Sequence, residues 1–183
     1  MRRRCPECNR SARQPFCFQQ RRTDLTDTAE IETKFWNALK DHGIVMLGLD
    51  GLEDGFARPM AAVVDEERSP IWFFASSDSA IVDAAAGGGR ASATLSAKGQ
   101  LYASVQGRLS VTDDRQTIER LWNPGAAAWF EEGMDDPKVR LLRLDAENAE
   151  IWLDGSSIAA GVKSLLGIDP KEDYKDKQAR VQL

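Results

Sequence analysis

The chain has a single histidine and three cysteines among 183 residues, and each shortage removes a class of chemistry. His42 closes a predicted helix, where an imidazole is better read as a favourable charge near the helix dipole than as a catalytic base. Cys5-Pro6-Glu7-Cys8 has half of a zinc-ribbon spacing and Cys17 adds a third sulfur, but no second Cys-x-x-Cys supplies a fourth ligand. Free thiols on an unstructured arm, with no metal, are the expectation; a zinc-carrying arm that touches nucleic acid is the contrary one. No apolar run approaches the roughly 18 to 20 residues of a membrane-spanning helix. The basic N-terminus lacks an apolar core, since Phe16-Cys17-Phe18 runs into Gln-Gln-Arg-Arg. It does not read as a secretory signal, and a cytoplasmic location is expected. Gly87-Gly88-Gly89 follows a predicted helix and has no Gly-Lys-Ser/Thr, so it is not a phosphate loop. No acid–base pair stands out.

What is present describes one globular domain with ragged ends: 42% apolar and 29% charged residues in a chain long enough to bury a core without disulfides. The net charge of −5 is uneven: residues 1–22 hold seven arginines against Glu7, or +6, which leaves −11 for the rest. An acidic body argues against nucleic acid as the main partner. Residues 1–24 are expected to be a disordered basic arm, 25–167 the folded domain and 168–183 a charged mobile tail.

Asp27, with Glu30 three residues on, predicts a helix N-cap, and Ile31, Phe35 and Leu39 recur on one face. Gly43 suits the left-handed position after that helix. Ile44–Leu49 reads as a strand. Ala57–Val64 and Ile71–Ala75 read as a hairpin whose first strand is apolar on both faces, with Pro59 marking an edge. Ser77 or Asp78 is expected to cap a short helix carrying Ile81, Val82 and Ala85. Strands follow at 90–97 and 100–112, the second alternating Leu101, Ala103, Val105, Gly107, Leu109 and Val111 with polar residues. A helix from Asp113-Asp114 carries Ile118, Leu121 and Trp122, and another helical turn is placed at 126–130. The expected end is a hairpin of 139–144 and 149–153 turning at 145–148, then a short helix at 155–166. Strands this close in sequence favour a mainly β, mostly antiparallel barrel with peripheral helices. Arg58 and the Ser76-Ser77-Asp78-Ser79 turn, with the amides after Ser77, suggest an anion site.

Three blocks carry a resemblance. Arg58-Pro59-Met60 leads to Ile71-Trp72-Phe73-Phe74 and Ser76–Ser79; Leu101–Gly107 is the second; Leu121-Trp122-Asn123-Pro124 through Ala128-Trp129-Phe130 to Asp136-Pro137, then Leu141–Leu144, is the third. Together, over residues 27–167, they resemble the general stress protein branch of the pyridoxamine 5′-phosphate oxidase-like, FMN-binding split-barrel family. The resemblance implies a split β-barrel homodimer with flavin in a groove between subunits, and a possible low-activity oxidoreductase whose substrate is not implied. It places cofactor contacts on Arg58, Pro59, Met60, Ala61, Phe74, Ala75, Ser76 and Ser79, a ring contact on Tyr102, and groove walls on Trp122 and Trp129. The cofactor expected is FMN, with FAD or none as the alternatives. Two departures support the flavin-free alternative, a binding or structural dimer. Ala75 stands where a hydroxyl is usual, and Ser79-Ala80-Ile81 lacks the basic residue usual in this turn. Arg90 and Arg108 are the substitutes the sequence suggests for that charge.

Overall fold

The structure is a computed structural model that describes residues 16–52, 55–66, 68–153 and 178–183. Helix α1, Phe16–His42, lays Ile31, Phe35, Trp36, Ala38 and Leu39 on the core. It begins well before Asp27, which therefore lies inside the helix and does not cap it; residues 16–24, expected in the disordered arm, are its first turns. Gly43 ends it as expected, at φ +62° with its N–H donating to the Leu39 carbonyl.

Six strands form a closed ring. They are β1 (Ile44–Leu49), β2 (Arg58–Val63), β3 (Ile71–Ser76), β4 (Gly89–Ala97), β5 (Leu101–Thr112) and β6 (Val139–Leu153). The antiparallel order β3-β2-β1-β4-β5-β6 is closed by β6 pairing back to β3, so the mostly antiparallel barrel expected from the sequence is present. β7, Gln178–Gln182, adds a seventh strand beside the second half of β6. The tail expected to be mobile thus ends in a paired strand, where Ala179 and Val181 alternate inward.

The final hairpin is not there. β6 runs unbroken through 145–148, pairing with β5 from Leu101↔Leu153 to Thr112↔Leu141. The polar residues that suggested a turn sit at a bulge: the pairing steps from Gln106↔Asn148 to Gly107↔Ala146, leaving Glu147 as the extra residue. The bend that a barrel strand needs is made there, against Gly107. The helical turn placed at 126–130 is instead α4, Pro124–Ala127, capped by Asn123 Oδ1, which accepts from the Ala126 N–H. The helix expected at 155–166 lies outside the described residues.

The barrel interior is filled by Val45, Leu47, Phe73, Leu95, Val105, Leu109, Leu142 and Leu144 against α1 and the short α2, Ala80–Ala85. A second cluster lies on the outer side of β3 and β6: Trp72, Val139 and Leu141 packed against Ile118, Leu121 and Phe130. Ile118 and Leu121 belong to α3, Arg115–Leu121. This explains the unbroken run Ile71–Ala75, for it is β3 that is covered on both faces. The expectation had assigned that to β2, whose Pro59 and Ala61 are instead exposed; no element of the described chain crosses that side. No helix among the described residues is long and apolar enough to cross a membrane.

Candidate functional site

β2 and β3 separate early. Their ladder has only Ala62↔Phe73 and Val63↔Trp72, although β2 pairs with β1 down to Arg58↔Leu47. A slit opens where the register, if continued, would set Met60 beside Ala75 and Arg58 beside Ser77. Pro59 fits here because its missing N–H falls along a stretch that β3 does not pair with. The slit joins eight of the expected contacts, Arg58 to Ala61 on one lip and Phe74, Ala75, Ser76 and Ser79 on the other. Trp122 reaches it too, edge-on to Phe74 at 5.3 Å between ring centroids and 6.0 Å from Phe130.

Two expected contacts do not join them. Tyr102 lies on the outer face of β5 beside Ser96 of β4, three strand spacings from β2, or about 14 Å. Trp129 is 83% exposed beyond α4. Arg90 and Arg108 face one another across β4 and β5, and Arg90 binds Glu147 at 2.7 Å. Through Leu109↔Leu144 and Ile71↔Leu144 they fall near the start of β3, roughly 17 Å along that strand from the serine turn, so they are not the replacement charge.

The turn itself differs from expectation. Helix α2 is N-capped by Ser79, not by Ser77 or Asp78, and without a side-chain capping bond. Two of the amides expected to face an anion are spent locally, Asp78 N–H on Ser76 Oγ at 3.3 Å and Ser79 N–H on Ser76 O at 3.0 Å, and the Ser77 N–H before them donates to Lys138 O at 2.8 Å. Ser79 Oγ also donates to Ser76 O, at 2.7 Å. With six residues, α2 offers no helix-terminus anion site of its own. Ala75 and Ile81 are buried in the barrel core, so the position whose charge is missing faces inward. The charged donors near the turn are cationic side chains.

Those cations were not visible in the sequence as part of this site. Lys138 Nζ pairs with Asp78 Oδ2 at 2.7 Å. The hydrogen bond and charge of Asp78 hold the Lys138 ammonium above its usual range, and Lys138 in turn lowers the Asp78 carboxyl. Arg140 is the cross-strand partner of Ala75, and its Nη1 donates to Pro137 O and Val139 O at 2.9 and 2.8 Å. Arg58 Nη1 donates to Phe56 O at 3.3 Å. His42, on the far side of α1, meets Gln100 at 3.0 Å. Among the described residues no His/Cys/Asp/Glu group could hold a metal; Cys5 and Cys8 lie outside them.

An open cavity of about 810 Å³ lies elsewhere, between Lys40, Val63–Glu66, Arg120, Leu121 and Asn123, and it includes none of the contacts placed on the slit. The Arg120–Asp65 ion pair sits on its wall. The slit has the aromatic wall and the nearby cations, which make it the candidate site.

A six-strand split barrel with a splayed β2–β3 pair defines a class, and comparison with known proteins agrees. Residues 30–173 match the family described as pyridoxamine 5′-phosphate oxidase like, and the chain belongs to it. It is similar to the solved structure of a general stress family protein from Xanthomonas campestris pv. campestris, with 52% identity over 70% of this chain and 90% of that one and a TM-score of 0.67. The general stress FMN/FAD binding protein of Xanthomonas citri is 50% identical over 71% of this chain and 93% of its own, TM-score 0.67. General stress protein 26 of Jannaschia sp. CCS1 is 28% identical over 85% and 99%, TM-score 0.70. No curated protein matches.

Proposed function

We propose that the protein binds a flavin, FMN in preference to FAD, in the β2–β3 slit of a cytoplasmic homodimer. The observation that carries the reading is the 50% identity to a general stress FMN/FAD binding protein of the same fold. The donor set fits in chemistry: a phosphate dianion wants cations and hydroxyls, and Arg58 and the serine turn border the slit. A flavin ring wants a flat apolar wall, and Phe74 with Trp122 supplies one. Met60 and Ala61 give the opposite lip. A second subunit would cover the outer face of β1, β2 and β5 and bring its own Tyr102 toward the slit. A bound flavin would supply electron transfer. The residues here would fix its orientation, balance the phosphate charge through Arg58 and exclude water at the ring. A low oxidoreductase activity is consistent with that.

The second reading, a flavin-free dimer, is favoured by the locally bonded Asp78 and Ser79 amides and by inward-facing Ile81. One experiment separates the two. Protein desalted and titrated with FMN, FAD and riboflavin, followed by flavin fluorescence, is expected to bind FMN saturably and riboflavin more weakly. Arg58→Ala should lose FMN affinity by about tenfold with a smaller loss for riboflavin. No saturable binding of any of the three would sink the flavin reading and leave the structural dimer.

A further inference from the structure

We propose that Lys138 and Arg140, at the start of β6, replace the missing turn cation and complete the phosphate subsite with Arg58. The inference rests on the flavin reading above.

Three observations place them. The β3–β6 ladder pairs Ala75 with Arg140 and Ser76 with Val139, and the Ser77 N–H to Lys138 carbonyl bond carries that register one residue further. Side chains alternate across a strand, so Lys138 and Arg140 share the face of Ala75 and Ser77. Arg58 is on the same face of β2 as Met60 and Ala62, which pack on the barrel core beside Ala75. Cations therefore flank the turn on both sides, one from β2 and two from β6.

Their bonding leaves capacity for an anion. An ammonium has three N–H donors and a guanidinium five. Lys138 Nζ uses one position on Asp78. Arg140 uses Nη1 on two backbone carbonyls, which anchors the guanidinium while Nε and Nη2 stay available. Ala75, its cross-strand partner, is too small to cover it. Asp78 acts as a placeholder: an exposed carboxylate that neutralises Lys138 until a stronger dianion displaces it. That makes a prediction of opposite sign at Asp78.

The test compares FMN with riboflavin, which differ only in the phosphate, by fluorescence titration of the full chain. Lys138→Met and Arg140→Met are each expected to weaken FMN about tenfold while leaving riboflavin unchanged. Lys138→Arg should retain FMN binding. Asp78→Asn should tighten FMN and leave riboflavin unchanged. Thermal melts of each variant near the wild-type midpoint confirm that the fold is intact. If the wild type prefers FMN and neither Met variant alters the FMN-to-riboflavin ratio, the assignment to Lys138 and Arg140 is overturned and flavin binding stands. If the wild type binds neither compound, both readings fall together.

Discussion

Gly107 shows how one atom can be decisive. A Cβ built there would lie 2.1 Å from the Asp145 carbonyl oxygen, 2.9 Å from its carbon and 3.1 Å from Ala146 Cα. All three are backbone atoms of the paired strand, at the bulge, and cannot rotate away. Gly89 makes the contrast: its nearest contact is Leu49 Cδ1 at 2.9 Å, the tip of a flexible side chain. Gly107→Ala is expected to destabilise by about 2 to 3 kcal/mol, since overpacking that moves backbone costs of this order. Urea unfolding measures it, and a loss below that of Gly89→Ala would contradict the account. The sequence showed a glycine at a bending position; the two-stranded contact that forbids a side chain was absent from it.

Among the elements, α3 has the clearest local cause. Asp114 Oδ2 accepts the Thr117 N–H at 3.1 Å and the Thr117 hydroxyl as well, which is an N-cap in the expected place. Those bonds lower the Asp114 carboxyl below its usual range. A folded-state pKa below the unfolded one gives stability that is present above the unfolded value, about 3.9, and is lost as pH falls through the folded one. Asp114→Ala should therefore lower the melting temperature at pH 7, with the gap to wild type shrinking as pH falls below about 3.9. Asp114→Asn, an uncharged cap, should track Ala less closely and show no such convergence; parallel curves for wild type and Ala at all pH values would refute the cap. Arg115 then ties α3 to the 3₁₀ turn Gly133–Asp135 through Met134 O and Asp135, which holds the segment carrying Trp122 and Trp129. β6 illustrates the opposite case. Its polar stretch mimics a turn locally, and only pairing with a 12-residue β5 shows it to be a bulge.

At the scale of the whole molecule, one sheet face is left uncovered by the described residues. Ile44, 57% exposed, lies opposite Ala61, and Met46, 44% exposed, opposite Pro59; Tyr102 is on the same outer surface, two strands away from β1. Contiguous apolar side chains of this kind mark an interface more often than they stay in water. With the proposed homodimer, Ile44→Glu places a charge in that interface while leaving the barrel core untouched. Light scattering after gel filtration should show a dimer for the wild type and a monomer for the variant, with little change in circular dichroism. A wild-type monomer, or a variant that remains dimeric, would refute this face as the interface. If the proposed dimer builds the groove from both subunits, flavin binding should weaken as the dimer is lost.

Local patterning was enough for the barrel class, the first five strands, the Gly43 helix stop and the Asp114 cap, because those follow from side-chain period and short-range backbone chemistry. Arg58, Ser76 and Phe74, expected from the sequence, lie on two strands joined by a short connection. Long-range register was beyond local patterning. Which face of β2 stays open, why β6 does not turn, and the arrival of Lys138 and Arg140 beside Ala75 and Ser77 all depend on pairing between segments about 60 residues apart. The serine turn was legible as a cluster of hydroxyls and amides. That the Asp78 and Ser79 amides and the Ser79 hydroxyl are satisfied within the turn follows only from the folded hydrogen-bond network.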